Sequence, residues 1–283
     1  MSVEVPPLFA GLCDDAAVFP PGNLPLADAV PAYGRHEAAA YAPMVGAFVL
    51  AAKDLERLAP IADNLAPRSF RLSLTVPLHQ VAAAVAYVDE IAPARLESVE
   101  VALPDDAASA EVVPFLKRAL GDRAVPVYIE LPRDERRAEL VNALSGTGFM
   151  AKLRTGGVSA DLYPDETELA AAVASLTAAG VPFKATAGLH HALRNTDPQT
   201  KFEQHGFLNL FTATGAALDG AEEEELAELL ADRDGTRVAD RVRTLSPEVR
   251  NTFRSFGTCS VTEPVEELAG LGLIDTRLTE DLA

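Results

Sequence analysis

The chain has 283 residues, 24 Lys+Arg against 42 Asp+Glu, a formal net charge of −18 and 48 % hydrophobic residues. That composition leaves room for a sizeable core in one large domain or two smaller ones. The acidic balance argues against nucleic acid or an anionic membrane surface as a partner, and two cysteines, Cys13 and Cys259, are too few for a disulfide framework or a Cys-based zinc site.

The first residues, MSVEVPPLFAGLCDDAAVFPP, lack the basic-then-apolar pattern of a signal peptide, and no apolar run reaches the ~18 residues of a membrane span. The expectation is a cytoplasmic, soluble protein. Residues 1–43, Pro-rich and then LADAVPAYGRHEAAAYAP, read as an N-terminal extension of loop and helix. Eight short apolar runs bounded by Pro, Gly or charge then read as strands: 46–52, 71–77, 96–104, 125–132, 148–157, 181–188, 206–213 and 253–259. Ala/Leu/Glu-rich segments with helical spacing separate most of them, at 53–65, 78–92, 107–121, 135–146, 165–180, 222–233 and 265–273. Gly121, Gly146 and Gly180 stand where three of these helices should stop. Eight βα units in one chain of this size predict a single-domain α/β fold, a (β/α)8 TIM barrel spanning 1–283. The rival, a doubly wound sheet, would want a Gly-rich turn after the first strand, and AFVLAAKDL has none.

The long connections follow strands five, six and seven: RTGGVSADLYPD, GLHHALRNTDPQTKFEQH and TATGAALDGA. In a barrel they lie on the C-terminal face, where such enzymes carry their chemistry. Of five lysines, Lys53, Lys117 and Lys201 fall on predicted surface, while Lys152 and Lys184 fall inside predicted strands five and six. Period-2 alternation sets Met150, Lys152 and Arg154 on one face, Lys184 and Thr186 on another, and Tyr128 and Glu130 on a third. If these faces point inward, Glu130, Lys152 and Lys184 converge. Both lysines precede a glycine by four residues, so the two amines should meet near the C-terminal mouth, each opposing the other's charge. Glu130 would move protons. The plain alternative is a buried ion pair of Glu130 with Lys152 or Arg154.

His190, His191 and His205 fall within sixteen residues, and a substrate-facing acid/base histidine is preferred to a metal site. Arg154 with Gly156 and Gly157 reads as an anion grip, and Thr186, Asn209 and His205 as substrate contacts. Asp14 and Asp15 either close the pocket or cap a turn. Cys259 reads as a small buried hydrophobe more than a reactive thiol.

Three stretches, LFAGLCDDAAVFPPGNLPLADAV, FKATAGLHHALR with HGFLNLF, and FRSFGTCSVTEPVEELAGLGL, together resemble a widespread family of uncharacterised bacterial barrel proteins, a likeness that covers most of the chain and implies no activity. At the level of a motif, K-x-x-T-G in Lys152–Gly156 is similar to the Schiff-base strand of deoxyribose-phosphate aldolases, and KATAG (184–188) nearly repeats it. In those aldolases the reactive lysine lies on strand six, which by the count above holds Lys184, with Lys152 on strand five.

The leading expectation is therefore an enzyme of aldolase type, a lyase acting on a carbonyl, carboxylate or phosphorylated small molecule. Lys184 or Lys152 would be the Schiff-base lysine, with Glu130, His190 or His191 transferring protons and no cofactor or metal. The alternatives are a metal-dependent hydrolase or isomerase using His190, His191 and Glu130, and a binding or scaffold barrel with a structural polar interior. No nucleic acid or membrane partner is expected, and homo-oligomerisation is left open.

Overall fold

In the computed structural model, which describes residues 4–282, eight parallel strands close into a barrel. They are β1 (Cys13–Asp15), β2 (Val45–Ala51), β3 (Phe70–Pro77), β4 (Ala94–Ala102), β5 (Val127–Glu130), β6 (Met150–Arg154), β7 (Phe183–Thr186) and β10 (Phe253–Thr258). Each lies beside its predecessor, and β10 closes the ring between β7 and β1. A two-stranded hairpin, β8 (Asn195–Thr196) and β9 (Glu203–Gln204), projects from the connection after β7. The helices are α1 (Leu26–Ala38), α2 (Leu55–Ala62), α3 (Val81–Glu90), α4 (Ser109–Leu120), α5 (Arg136–Leu144), α6 (Glu166–Ala178), α7 (Phe207–Leu218), α8 (Glu223–Ala231), α9 (Gly235–Thr244) and α10 (Thr262–Gly270). The predicted (β/α)8 barrel is thus the fold. Residues 1–3 and 283 of the predicted domain lie outside the described residues.

Local chemistry accounts for the elements. In β2, VGAFVLA, the first six residues are all buried, as expected of a strand covered by helices on one side and barrel interior on the other. Helix α6 begins after Asp165, whose carboxylate accepts from the Glu168 amide at 2.7 Å and so caps the helix. Gly121, Gly146 and Gly180 follow α4, α5 and α6 with positive φ, the conformation for which helix ends select glycine.

Two predicted elements change places. Of residues 206–213, predicted as strand seven, Gly206 caps helix α7 and the rest belong to it. Every residue from Phe207 to Gly215 is buried, so the segment has no polar face to betray a helical period, and an apolar run of that length does not distinguish buried strand from buried helix. Phe207 stacks on Phe256 at 4.8 Å and Phe211 meets Phe253 edge-on at 4.9 Å, which packs α7 against β10. Conversely, Cys13–Asp15, placed in the predicted 1–43 extension, is the first barrel strand. Its three residues, two of them Asp, form no apolar run. They become a strand because β10 and β2 pair with them on either side. The "extension" is therefore largely the first βα unit, β1 followed by α1. The total of eight strands survives, but predicted strands one to six advance by one, and Met150–Arg154 is the sixth barrel strand.

Asn209, predicted on a strand with a ligand, sits fully buried in α7. Its Nδ2 donates to the carbonyls of Leu229 and Asp232 at 2.8 and 2.7 Å, and its Oδ1 accepts from the Arg194 amide at 2.8 Å. It ties the ends of the hairpin and α8 to α7. Asn209→Leu leaves three buried backbone groups unpaired and is expected to cost about 3 kcal/mol or more in urea unfolding.

Candidate active site

The inner faces of β5, β6 and β7 carry Glu130, Lys152 and Lys184 at one level. Glu130 is the ladder partner of Lys152, and Lys152 that of Lys184. The predicted inward facing and equal height are both found. The two amines share the Glu100 carboxylate and otherwise take different partners. Lys184 Nζ lies 2.6 Å from Asp14 Oδ2 and 2.6 Å from Glu100 Oε1. Lys152 Nζ lies 3.0 Å from Glu100 Oε2 and 3.1 Å from Glu130 Oε2, and Arg154 Nε donates to Glu130 Oε1 at 2.8 Å. The result is a chain of alternating charge through the barrel: Asp14, Lys184, Glu100, Lys152, Glu130, Arg154. Glu100 is its shared centre, 1 % exposed.

Hydroxyls and backbone brace the chain. Ser73 Oγ donates to Glu100 Oε1 and Ser255 Oγ to Asp14 Oδ2, each at 2.7 Å. The Ala47 amide donates to Asp14 Oδ1 at 3.0 Å. This approach requires Gly46, because a Cβ there would stand 2.1 Å from the same oxygen.

The protonation state follows from who faces whom. Burial penalises both ammonium groups, but their carboxylate neighbours outweigh it: Glu100 and Glu130 raise Lys152, and Asp14 and Glu100 raise Lys184. Burial likewise opposes the Glu100 and Glu130 charges. The lysines overcome it at Glu100, which is held well below the usual carboxylate range, and Lys152 with Arg154 overcome it at Glu130, which is lowered. The expected mutual loss of basicity between the lysines is thus corrected: Lys184 opposes the charge of Lys152, but the carboxylates bonded to each ammonium outweigh it.

At the C-terminal ends of the strands lies a cavity of about 590 Å³. Lys152, Glu130, Arg154 and Glu100 form its polar floor, with Thr75, Gln80, Thr186 and His190 around them. Phe19, Pro20, Val49, Val158 and Leu162 supply apolar wall, and Lys53, from the turn after β2, stands at the rim. Lys184 is absent from this cavity; it is 1 % exposed and opens toward the other end of the barrel.

The remaining candidates scatter. His190 lines the cavity, with Nδ1 3.3 Å from Cys259 Sγ. Burial lowers its proton affinity and pushes the thiol up to about 11. His191 instead binds Glu267 through Nδ1 at 2.6 Å, which raises its proton affinity, and it lines a separate surface cleft. His205 is fully buried, bonded through Nε2 to the Pro164 carbonyl at 2.8 Å, and burial lowers it to about 4. His190, His191 and Glu130 therefore do not meet at one point. Among the described residues no group of three His, Cys, Asp or Glu side chains is placed to hold a metal ion. Gly157 lines the cavity and Gly156 does not; a Cβ on Gly156 would strike the Tyr163 ring at 2.6 Å, so close packing requires glycine there.

Compared with protein-family models and with curated proteins, the chain matches none. Among the described residues no helix is long and apolar enough to cross a membrane.

Sequence reasoning missed Glu100. Its signal was present: Ser98 and Glu100 alternate along LESVEVALP, two polar residues on one face of a strand that should be buried on both sides. It also left Asp14 and Asp15 together, whereas the strand separates them. Asp14 joins the ion chain. Asp15 is 2 % exposed; its Oδ1 accepts from the Ala17 amide at 2.9 Å while its Oδ2 has no partner. Burial, only partly offset by that amide, raises its carboxyl to about 6. A carboxyl raised above its unfolded value stabilises the fold at low pH and loses that contribution as pH climbs through about 6. Asp15→Asn is expected to gain about 2 kcal/mol over the parent at pH 8 and to show no gain at pH 4, measured by urea unfolding at both values.

Proposed function

We propose that this barrel is an aldolase-type lyase that acts on a small carbonyl compound bearing an anionic group, with Lys152 as the Schiff-base amine. The observation that carries the reading is the placement of Lys152: a 5 % exposed lysine on the floor of the mouth cavity, between a carboxylate shared with the interior and a second one, Glu130, that also lines the cavity. The K-x-x-T-G of Lys152–Gly156 supports it further. With β1 counted, this lysine lies on the sixth barrel strand, the strand that bears the reactive lysine in the aldolases it resembles. Lys184 on the seventh strand then serves as the buried countercharge.

The reaction needs Lys152 as the free amine. A substrate carboxylate or phosphate binding Arg154 competes with Glu130 for that guanidinium and raises the proton affinity of Glu130. Glu130 then takes the proton from Lys152 Nζ across 3.1 Å. The amine adds to the substrate carbonyl, the carbinolamine loses water, and the iminium draws the electrons of the bond between its α- and β-carbons as that bond breaks, leaving the enamine. The departing fragment leaves as an aldehyde once its β-hydroxyl proton is removed. The enamine regains a proton, and water releases the second product and the lysine. His190, its burial favouring the neutral imidazole, is the candidate base for the hydroxyl. Lys53 at the rim and Gly157 complete the anion's surroundings.

Borohydride reduction in the presence of a panel of aldehydes and keto acids, followed by peptide mass spectrometry, tests the reading. The expected result is a reduced adduct on Lys152. No adduct across the panel, or adducts confined to Lys53, Lys117 and Lys201, overturns it and leaves the ion chain as a structural filling of the barrel.

A further inference from the structure

The opposite end of the barrel holds a second cavity, of about 320 Å³, among the N-terminal ends of the strands. We infer that it is an anion site built for a phosphate group, free or esterified, with Arg250 and Arg254 as its principal ligands. The inference is independent of the chemistry at the mouth.

The charge count at this cavity carries the argument. Arg71, Lys184, Arg250 and Arg254 line it, against Asp14 and Glu97. Lys184 is matched by Asp14 at 2.6 Å. Arg71 is matched by Glu97 at 3.6 Å and Glu37 at 3.8 Å. Among the described residues, Arg250 and Arg254 meet no carboxylate. Arg250 donates to the Leu8 carbonyl at 3.0 Å and to the Arg254 carbonyl, and Arg254 donates to the Arg250 carbonyl at 3.3 Å. The two positive charges stand together, and in a chain of net charge −18 they are left over.

Arg250 is the more telling of the two. Among the described residues, the other arginines shielded from solvent, Arg71, Arg136, Arg137, Arg154 and Arg194, all meet a carboxylate. Arg250 does not, and its buried Nε has no hydrogen-bond partner at all. Burial, then the charge of Arg254, depresses its guanidinium to about 10, the mark of an uncompensated cation. A desolvated fork with a free donor is costly unless something anionic completes it. The excess of two charges matches a phosphate, which carries about −1.5 to −2 near pH 7. Ser98, Ser255 and Tyr128 add hydroxyl groups to the same walls. The closed end of such a barrel ordinarily serves stability alone, so an uncompensated arginine pair there calls for a ligand.

The test is titration calorimetry and thermal unfolding of the full chain with inorganic phosphate, at constant ionic strength set with chloride. Saturable binding is expected, with a rise in Tm of several degrees at 10 to 20 times about the dissociation constant. Arg254→Gln alters an exposed side chain and leaves the fold in place; it should weaken binding at least about tenfold. Arg254→Glu should abolish the phosphate-dependent rise and raise the Tm of the unliganded protein, because Arg250 then gains its counterion. Arg154→Gln, at the mouth, should leave the phosphate isotherm of this site unchanged. Sulfate and a dicarboxylate such as malonate, run in parallel, report whether the site prefers phosphate to other dianions; tighter binding of malonate overturns the phosphate assignment. Absence of saturable binding, or binding equal in the parent and Arg254→Gln, overturns the site.

Discussion

Glu100→Gln is expected to lower stability by about 3–5 kcal/mol, the scale for breaking a buried ion network from one side. Glu100 holds Lys184 at 2.6 Å and Lys152 at 3.0 Å, with Ser73 as a further donor. The amide keeps the shape and removes the charge, so two buried ammonium groups face each other with one carboxylate fewer between them. The pH dependence identifies the cause. A carboxyl held below its unfolded value stabilises above that value and loses its contribution as pH falls, so the parent should weaken in acid. The lysines, held above their unfolded values, stabilise below about pH 10.5 and lose that contribution as pH rises. Glu100→Gln should flatten the acid limb and bring the alkaline limb to lower pH. Urea unfolding across pH 3–11 reads both limbs; an unchanged profile would mean that Glu100 does not govern the chain.

Lys152→Met and Lys184→Met are expected to fail in different ways. Lys184→Met strips Asp14 and Glu100 of their closest cation at the 1 % exposed centre of the barrel, and should cost about 3–5 kcal/mol. Lys152→Met leaves Glu130 with Arg154 and Glu100 with Lys184, so its cost should be about 1–3 kcal/mol. The order reverses for chemistry. Once a substrate is in hand from the borohydride panel, Lys152→Met should lose at least about 10³-fold in kcat and all trapping, because no other amine sits on the cavity floor. Lys184→Met, where it remains folded at low temperature, should still trap substrate on Lys152. Equal loss of trapping in both variants with equal stability would contradict the separate roles assigned to the two lysines.

Legibility followed the physics of each residue. The inward facing of Lys152, Lys184 and Glu130 was readable because alternation along a strand is obligatory and three polar residues in buried strands have one place to go. Their partners were less so. Glu100 lay in view as a carboxylate on a buried strand, but nothing local tells a barrel-facing carboxylate from a helix-facing one. Lys184 was matched to the right level and the wrong end, because equal backbone register does not decide which way a four-carbon side chain leans. The direction was set by Asp14, 170 positions away.

The sequence alone determined the class of fold, the alternation of strand and helix, the helix stops at Gly121, Gly146 and Gly180, and the presence of a polar barrel interior. All of these rest on local periodicity and backbone chemistry, which a short window of residues contains. The tertiary structure alone decided that Cys13–Asp15 is a strand, since three residues with two aspartates pair only because β2 and β10 offer them edges. It decided that Phe207–Leu218 is a helix, since a segment buried on every side carries no amphipathic signal. It also decided which carboxylate meets which cation, because ion pairing depends on distances across the barrel between residues as far apart as Asp14 and Lys184, and no spacing along the chain encodes those distances.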